Sequence, residues 1–302
     1  MATPSVIGAT SLAAIVLGRE VDVARLTFYA DVMGLAPQAG PDGSMCIDLG
    51  PGGALAEALA ELVMQASGIH PPEKVRRRLA SLEVAAASRV RAASAAARGL
   101  REGTGEVAVA SRQQPHGGFF AVDVLDLSHR RFDGAMSPQI TREVFVSADA
   151  VTVLPYDPHR DRVLLVEQFR TGPLGRGDPL PWQLEAIAGR IDPGETPEEA
   201  ARREAMEEAG LTLGGMERVA EYYPSPGAVT EYLYSFVAIS DLPDGVDGIF
   251  GAEEESEDIK SHLLSFDDLM AALARGELAN APIILTALWL QRERKRLRLG
   301  KV

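Results

Sequence analysis

Three glutamates, Glu204, Glu207 and Glu208, fall within one short run, GRIDPGETPEEAARREAMEEAGL at residues 189–211. On a helix, at about 100° per residue, Glu208 lies about 40° to one side of Glu204 and Glu207 about 60° to the other. All three crowd one ridge, where like charges four residues apart repel by roughly 0.2–0.5 kcal/mol per pair. The position four residues past Glu204, where a cation could offset it, is Glu208 itself. Two readings fit this crowding. The face can be a solvated, glutamate-rich surface, or its carboxylates can gather a hard divalent cation, since Mg2+ takes oxygen ligands.

The element that must carry these side chains is specified at both ends. Thr196 can be an N-cap, with Pro197 at the first helical position and Glu199 two further on, which is a capping box. Gly210 follows the last helical residue, as a terminating glycine does. A helix is therefore expected over 197–209. A strand-like apolar run at 184–188 and a glycine-containing turn lead into it.

Around this centre the period of the apolar residues changes along the chain. Phe120, Val122 and Val124 share one side of a candidate strand, and 143–146 and 150–154 suggest others. Residues 156–161 have turn chemistry, and RVLLVEQ at 162–168 reads as a buried strand, so 150–168 is expected to be a hairpin. A further strand is expected at 232–239, with helices at 265–275 and 281–298. Strands interspersed with helices give an α/β or α+β domain. Before it, Ala, Gly and Ser dominate 51–99, and Val75, Leu79, Leu82, Ala86 and Val90 predict one helix over 72–98. Lys74, Arg76, Arg77, Arg78, Arg89 and Arg91 on that stretch are read as a solvated face in preference to an anion-binding patch. Gly99, Gly103 and Gly105 mark a boundary between a module at 1–104 and a domain at 105–302.

Composition narrows the class. The chain has 302 residues, 46% hydrophobic and 24% charged, which suits a soluble protein of about two domains and excludes a disordered, collagenous or coiled-coil chain. The early apolar run at 12–17 is far short of the ~20 residues of a membrane span. No Lys or Arg precedes Arg19, so a signal peptide is not expected. One cysteine, Cys46, rules out an intrachain disulfide and a cysteine metal cage, and a cytoplasmic location is expected. The net charge of −13 disfavours nucleic acid as a partner. Residues 1–110 hold 10 basic and 11 acidic side chains; the remainder holds 20 and 32.

The pattern at 189–211 is identified as a Nudix box: glycine, five residues, glutamate, seven residues, Arg-Glu, an apolar residue, any residue, Glu-Glu, any residue, glycine, an apolar residue. Gly189, Glu195, Arg203, Glu204, Ala205, Glu207, Glu208, Gly210 and Leu211 supply it, with Ala205 smaller than the usual aliphatic. The resemblance implies an α/β/α sandwich with a mixed sheet, preceded here by a smaller N-terminal module. It also implies a Mg2+- or Mn2+-dependent hydrolase of a nucleoside diphosphate linked to another moiety. In the family, the residues matching Glu204, Glu207 and Glu208 ligate metal, and those matching Glu195 and Arg203 hold the motif together by a salt bridge.

Residues beyond the box resemble the bacterial ADP-ribose pyrophosphatases. The matches are GFFAVDVLDLSHRRFDGAMSPQITREVF at 118–145, VLLVEQFR at 163–170, SPGAVTEYLYSF at 225–236, GAEEESEDIK at 251–260 and ELANAPIILTALWLQ at 277–291. Pro226 stands sixteen residues past Gly210, near the spacing that marks this group. The resemblance implies that Arg142 and Arg170 grip the pyrophosphate, suited by the guanidinium fork. It implies that Phe119 stacks on adenine from the partner subunit of a swapped homodimer and that Glu231 binds the terminal ribose. The Ala188 carbonyl and Glu257 would be further metal ligands. Glu255 would be the general base, with Glu254 the substitute if the loop alignment is shifted by one. The products would be AMP and ribose 5-phosphate. The alternatives are another nucleoside diphosphate sugar as substrate, or a sensor that binds ADP-ribose without cleaving it.

Residues 17–29, LGREVDVARLTFY, are similar to part of a γ-glutamylcyclotransferase-like barrel, a module fused to Nudix domains in some tellurite-resistance-type proteins. That family's Tyr-Gly-Thr/Ser-Leu turn reads Ile7-Gly8-Ala9-Thr10-Ser11-Leu12 here, and its catalytic acid has no counterpart. Residues 1–104 are therefore expected to be catalytically silent.

Overall fold

A computed structural model describes residues 6–9, 12–15, 20–36, 38–39, 45–46, 53–94, 105–251 and 258–300. The chain forms two compact units, one of residues 1–148 and 227–230, the other of residues 149–226 and 231–302.

The first unit begins with a hairpin of β1 (Val6–Ala9) and β2 (Leu12–Ile15), then α1 (Glu20–Met33) and a short pair, β3 (Gln38–Ala39) and β4 (Met45–Cys46). Helices α2 (Ala54–Gln65), α3 (Pro72–Arg76) and α4 (Leu79–Ala93) follow. Leu26, Tyr29, Val32, Leu59, Val63, Val75, Leu82 and Ala86 make a core between them. The segment compared with a barrel thus runs largely into α1. The helix expected over 72–98 is broken: Arg78, with φ −108° and ψ 8°, leaves helical geometry between α3 and α4.

The same unit carries an antiparallel sheet of β5 (Val107–Gly117), β6 (Ala121–His129) and β7 (Ile140–Val146). Val122 and Val124 share one side of β6, as expected. Its more buried side holds Ala121 and Asp123, the latter fully buried. A buried carboxylate needs donors, and Arg112 supplies them through Nε at 2.9 Å and through Nη2, with Gln114 Nε2 at 2.8 Å.

The second unit is built on β8 (Ala150–Asp157), β9 (Arg162–Phe169), α5 (Thr171–Arg176), β10 (Trp182–Glu185), β11 (Ile187–Arg190), α6 (Pro197–Ala209), β12 (Met216–Tyr222), β13 (Leu233–Ile239), β14 (Ile249–Phe250), β15 (Ile259–Ser265), α7 (Phe266–Arg275) and α8 (Ala281–Arg298). Among the described residues its sheet runs β12-β13-β8-β9-β15-β14, with β10 on β9 and β11 on β8. The β8–β13 pair is parallel and the others antiparallel, so the sheet is mixed. Strands buried on both faces read as continuous apolar runs, and β8 and β9 do so. Val151, Val153, Leu164 and Val166 pack with α6, while Leu154, Tyr156, Val163 and Leu165 pack with α7 and α8. The result is the expected α/β/α sandwich.

The β8–β9 hairpin turns on Asp157, whose Oδ1 accepts the His159 and Arg160 N–H groups at 2.9 Å, and on Asp161 at φ 57°. Pairing continues only through Tyr156 with Val163 and Asp157 with Arg162. The two strands then part. β11 takes the edge of β8 (Ile187 opposite Val153), and β10 takes that of β9 (Glu185 opposite Val166). This fork sets the backbone of Ala188 and Gly189 beneath α6.

Candidate active site

The helix carrying the three glutamates begins and ends as its sequence specifies. Thr196 Oγ1 accepts the Glu199 N–H at 3.2 Å, and Glu199 Oε2 accepts the Thr196 N–H at 2.8 Å. Loss of such a cap typically costs about 0.5–2 kcal/mol. At the other end Gly210 is left-handed, φ 62°, and the Leu211 N–H reaches the Ala205 carbonyl at 2.9 Å. The inward face is Ala200, Ala201, Ala205 and Ala209, all buried against β8 and β11 residues. Small side chains let the helix sit low on the sheet, which accounts for an alanine at 205.

That close approach brings carboxylates onto the strand backbone. A Cβ built on Gly189 would lie 1.8 Å from Glu204 Oε1, so only a glycine leaves room for that carboxylate. Glu208, 2% exposed, accepts the Ala188 N–H on Oε2 at 3.1 Å. In a strand, the N–H and C=O of one residue point to the same edge. The Ala188 carbonyl therefore faces the side on which Glu208 lies.

Arg203 ties the rest together. Its Nε and Nη2 donate to the two oxygens of Glu195 at 2.9 and 3.0 Å, and Nη2 also donates to the Arg190 carbonyl at 2.9 Å. Nη1 donates to Glu204 Oε1 at 2.7 Å and to Glu207 Oε2 at 3.1 Å. No cation stands four residues past Glu204; the offset comes instead from Arg203, the residue just before it. The Arg203 guanidinium holds the Glu195 carboxyl below its ordinary range. Hydrogen bonding to Glu195 correspondingly raises Arg203.

Among the described residues, no three acidic, histidine or cysteine side chains are set closely enough to hold a metal ion. Arg203 draws on Glu204 and Glu207, while Glu208 turns to the strand. The donor chemistry still fits a hard cation: carboxylates beside a strand carbonyl, with no sulfur or imidazole. A carboxylate buried as deeply as Glu208 also needs donors or a cation to compensate it.

The other expected residues are distributed as follows. Arg170, at the start of α5, donates through Nε and Nη2 to Glu185 Oε2 at 3.1 and 2.7 Å. Glu185 was not singled out from sequence, because only the β9–β10 pairing brings it near. Glu231 is half-buried before β13, and its charge adds to burial in pushing the Tyr222 hydroxyl up. Phe119 and Arg142 belong to the first unit. Phe119, 69% exposed, meets Phe120 edge-on at 4.9 Å, and Arg142 on β7 donates to the Thr141 carbonyl at 2.8 Å. Glu253, Glu254, Glu255 and Glu257 lie outside the described residues. The structure thus sets Glu208 on the Ala188 N–H, and Glu204 and Glu207 on Arg203, as two separate groupings along α6.

The NUDIX domain model matches residues 146–286. An ADP-ribose pyrophosphatase of Escherichia coli (strain K12) is 37% identical over 189 residues, covering 63% of this chain and 90% of that protein. A GDP-mannose pyrophosphatase of Yersinia enterocolitica is 35% identical over 153 residues, covering 51% and 78%. The crystal structure of an ADP compounds hydrolase matches with a TM-score of 0.49 at 21% identity, covering 68% of this chain and all of that one.

Proposed function

This chain belongs to the Nudix family, and we propose that it hydrolyses the diphosphate of ADP-ribose to AMP and ribose 5-phosphate with Mg2+ or Mn2+. The observation that carries this reading is the 37% identity to the E. coli ADP-ribose pyrophosphatase over 90% of its length. An unbroken glutamate set on α6 supports it.

Glu204, Glu207 and Glu208, the Ala188 carbonyl and Glu257 would hold the cation. When bound, the cation neutralises charge developing on the phosphate oxygens and lowers the pKa of water. Glu255 accepts the proton of the attacking water. The water oxygen bonds to one phosphorus as the bond from phosphorus to the bridging oxygen breaks. Arg142 and Arg170 grip the diphosphate, with Glu185 holding the Nε edge of Arg170. Glu231 binds the terminal ribose. Phe119 stacks on adenine bound by the partner chain of a homodimer. Residues 105–302 act as the hydrolase domain, and 1–104 as a module without catalytic groups. The enzyme works in the cytoplasm on a small molecule, without nucleic acid or membrane. No described helix is long and apolar enough to cross a membrane.

The similarity to a GDP-mannose pyrophosphatase favours a second reading, another nucleoside diphosphate sugar. A non-catalytic ADP-ribose sensor is a third, and the intact box weighs against it. ADP-ribose, ADP-glucose and GDP-mannose assayed side by side, with detection of the phosphate products, separate the three. ADP-ribose should give the highest kcat/KM. Preference for GDP-mannose would overturn the substrate, and tight ADP-ribose binding without turnover would establish the sensor.

A further inference from the structure

The break between α3 and α4 is placed where the helical module meets the turn that carries Phe119. Arg78 stands at that break, and its side chain reaches the end of the β5–β6 hairpin within the same unit. Nε donates to the Gly118 carbonyl at 3.1 Å, and Nη1 donates to Gln114 Oε1 at 3.0 Å. Gly117 is bare toward it: a Cβ there would lie 1.9 Å from Arg78 Nη1. His70, from the loop before α3, lies 3.0 Å from the Gln114 carbonyl through Nε2. Gln114 passes the restraint on to buried Asp123, which Arg112 also holds.

Two consecutive glycines precede Phe119, and glycine backbone is the least restrained of all. A stacking ring binds more tightly when its backbone is fixed beforehand. Two contacts hold Gly118, the residue immediately before the ring: its N–H donates to the Phe120 carbonyl at 2.8 Å, and its carbonyl accepts from Arg78. A guanidinium fork can hold a carbonyl and a side-chain amide at once, which an ammonium cannot do in the same geometry.

We propose that Arg78 is a positioning residue: by clamping the Gly118 carbonyl it sets Phe119 for stacking on the adenine of the substrate, which gives the N-terminal module a part in nucleotide binding. This rests on the reading of Phe119 given above.

The test uses the full-length chain and reads KM and kcat for ADP-ribose, with the dissociation constants of AMP and of ribose 5-phosphate. Phe119→Ala should raise KM and weaken AMP by about tenfold, within the range of base–aromatic stacking. Arg78→Ala should raise KM and weaken AMP by roughly three- to tenfold, no more than the ring itself is worth, with kcat within about twofold and ribose 5-phosphate binding unchanged. Arg78→Lys should restore only part of the loss. Gly117→Ala, which pushes the guanidinium aside by another route, should mimic Arg78→Ala and add nothing to it. Added to Phe119→Ala, Arg78→Ala should likewise have no further effect. Should Arg78→Ala fail to fold, Arg78→Lys and Gly117→Ala decide. If Phe119→Ala weakens AMP while the Arg78 and Gly117 variants do not, the proposal is overturned and the Phe119 reading stands. A fall in kcat with KM unmoved, or equal weakening of both products, also overturns it, since either marks a general structural role. If Phe119→Ala leaves KM and AMP binding unmoved, the underlying reading fails and the proposal with it.

Discussion

Gly189 and Glu204 are fifteen positions apart in the chain, yet one has room only because the other has no side chain. The methyl of Gly189→Ala would meet the Glu204 carboxylate at 1.8 Å. The carboxylate is the far end of a flexible side chain, so it should swing away and the fold should survive. A displacement of this size at a catalytic group can cost roughly 10²-fold in rate. Gly189→Ala should therefore lose kcat by about that factor while Tm changes little. Unchanged kcat would mean that the position of Glu204 over the strand does not matter. At this scale the sequence was legible wherever spacing decides: the capping residues, the terminal glycine and the glutamate ridge. It was silent where a partner comes from another strand, as Glu185 does for Arg170, or from an unexpected offset, as Arg203 does for Glu204.

The loop and helix that hold the glutamates act as one element through Glu195 and Arg203. Because Arg203 holds the folded Glu195 carboxyl below its ordinary range, the pair contributes stability that is complete above the unfolded value. That stability is lost as pH falls through the lowered folded value. The Tm gap between the natural protein and Glu195→Gln should be steady from about pH 7 to 5 and close below about pH 4. A gap as wide at pH 3 as at pH 7 would contradict this. Elements with two consistent signals were readable: α6 from its caps, and β8 and β9 from apolar runs around turn residues. β15 was not, because its inward positions include Ser261, which is buried with Gly248 N–H donating to its Oγ at 2.8 Å. The break at Arg78 was hidden too, since apolar spacing continues across it.

At the scale of the molecule, the mixed sheet between α6 on one face and α7 and α8 on the other follows from strands apolar on both sides. The fork between β8 and β9 does not follow from any local pattern. It depends on β10 and β11 each choosing a different neighbour, a long-range pairing that periodicity cannot express. If the α6 glutamates support diphosphate hydrolysis through a divalent cation, turnover of ADP-ribose by the full-length protein depends on that ion, which exhaustive chelation followed by titration with Mg2+ or Mn2+ measures. Turnover should be absent in excess chelator and recover with either ion, with Glu204→Gln and Glu208→Gln needing more of it. Full turnover in excess chelator would contradict it.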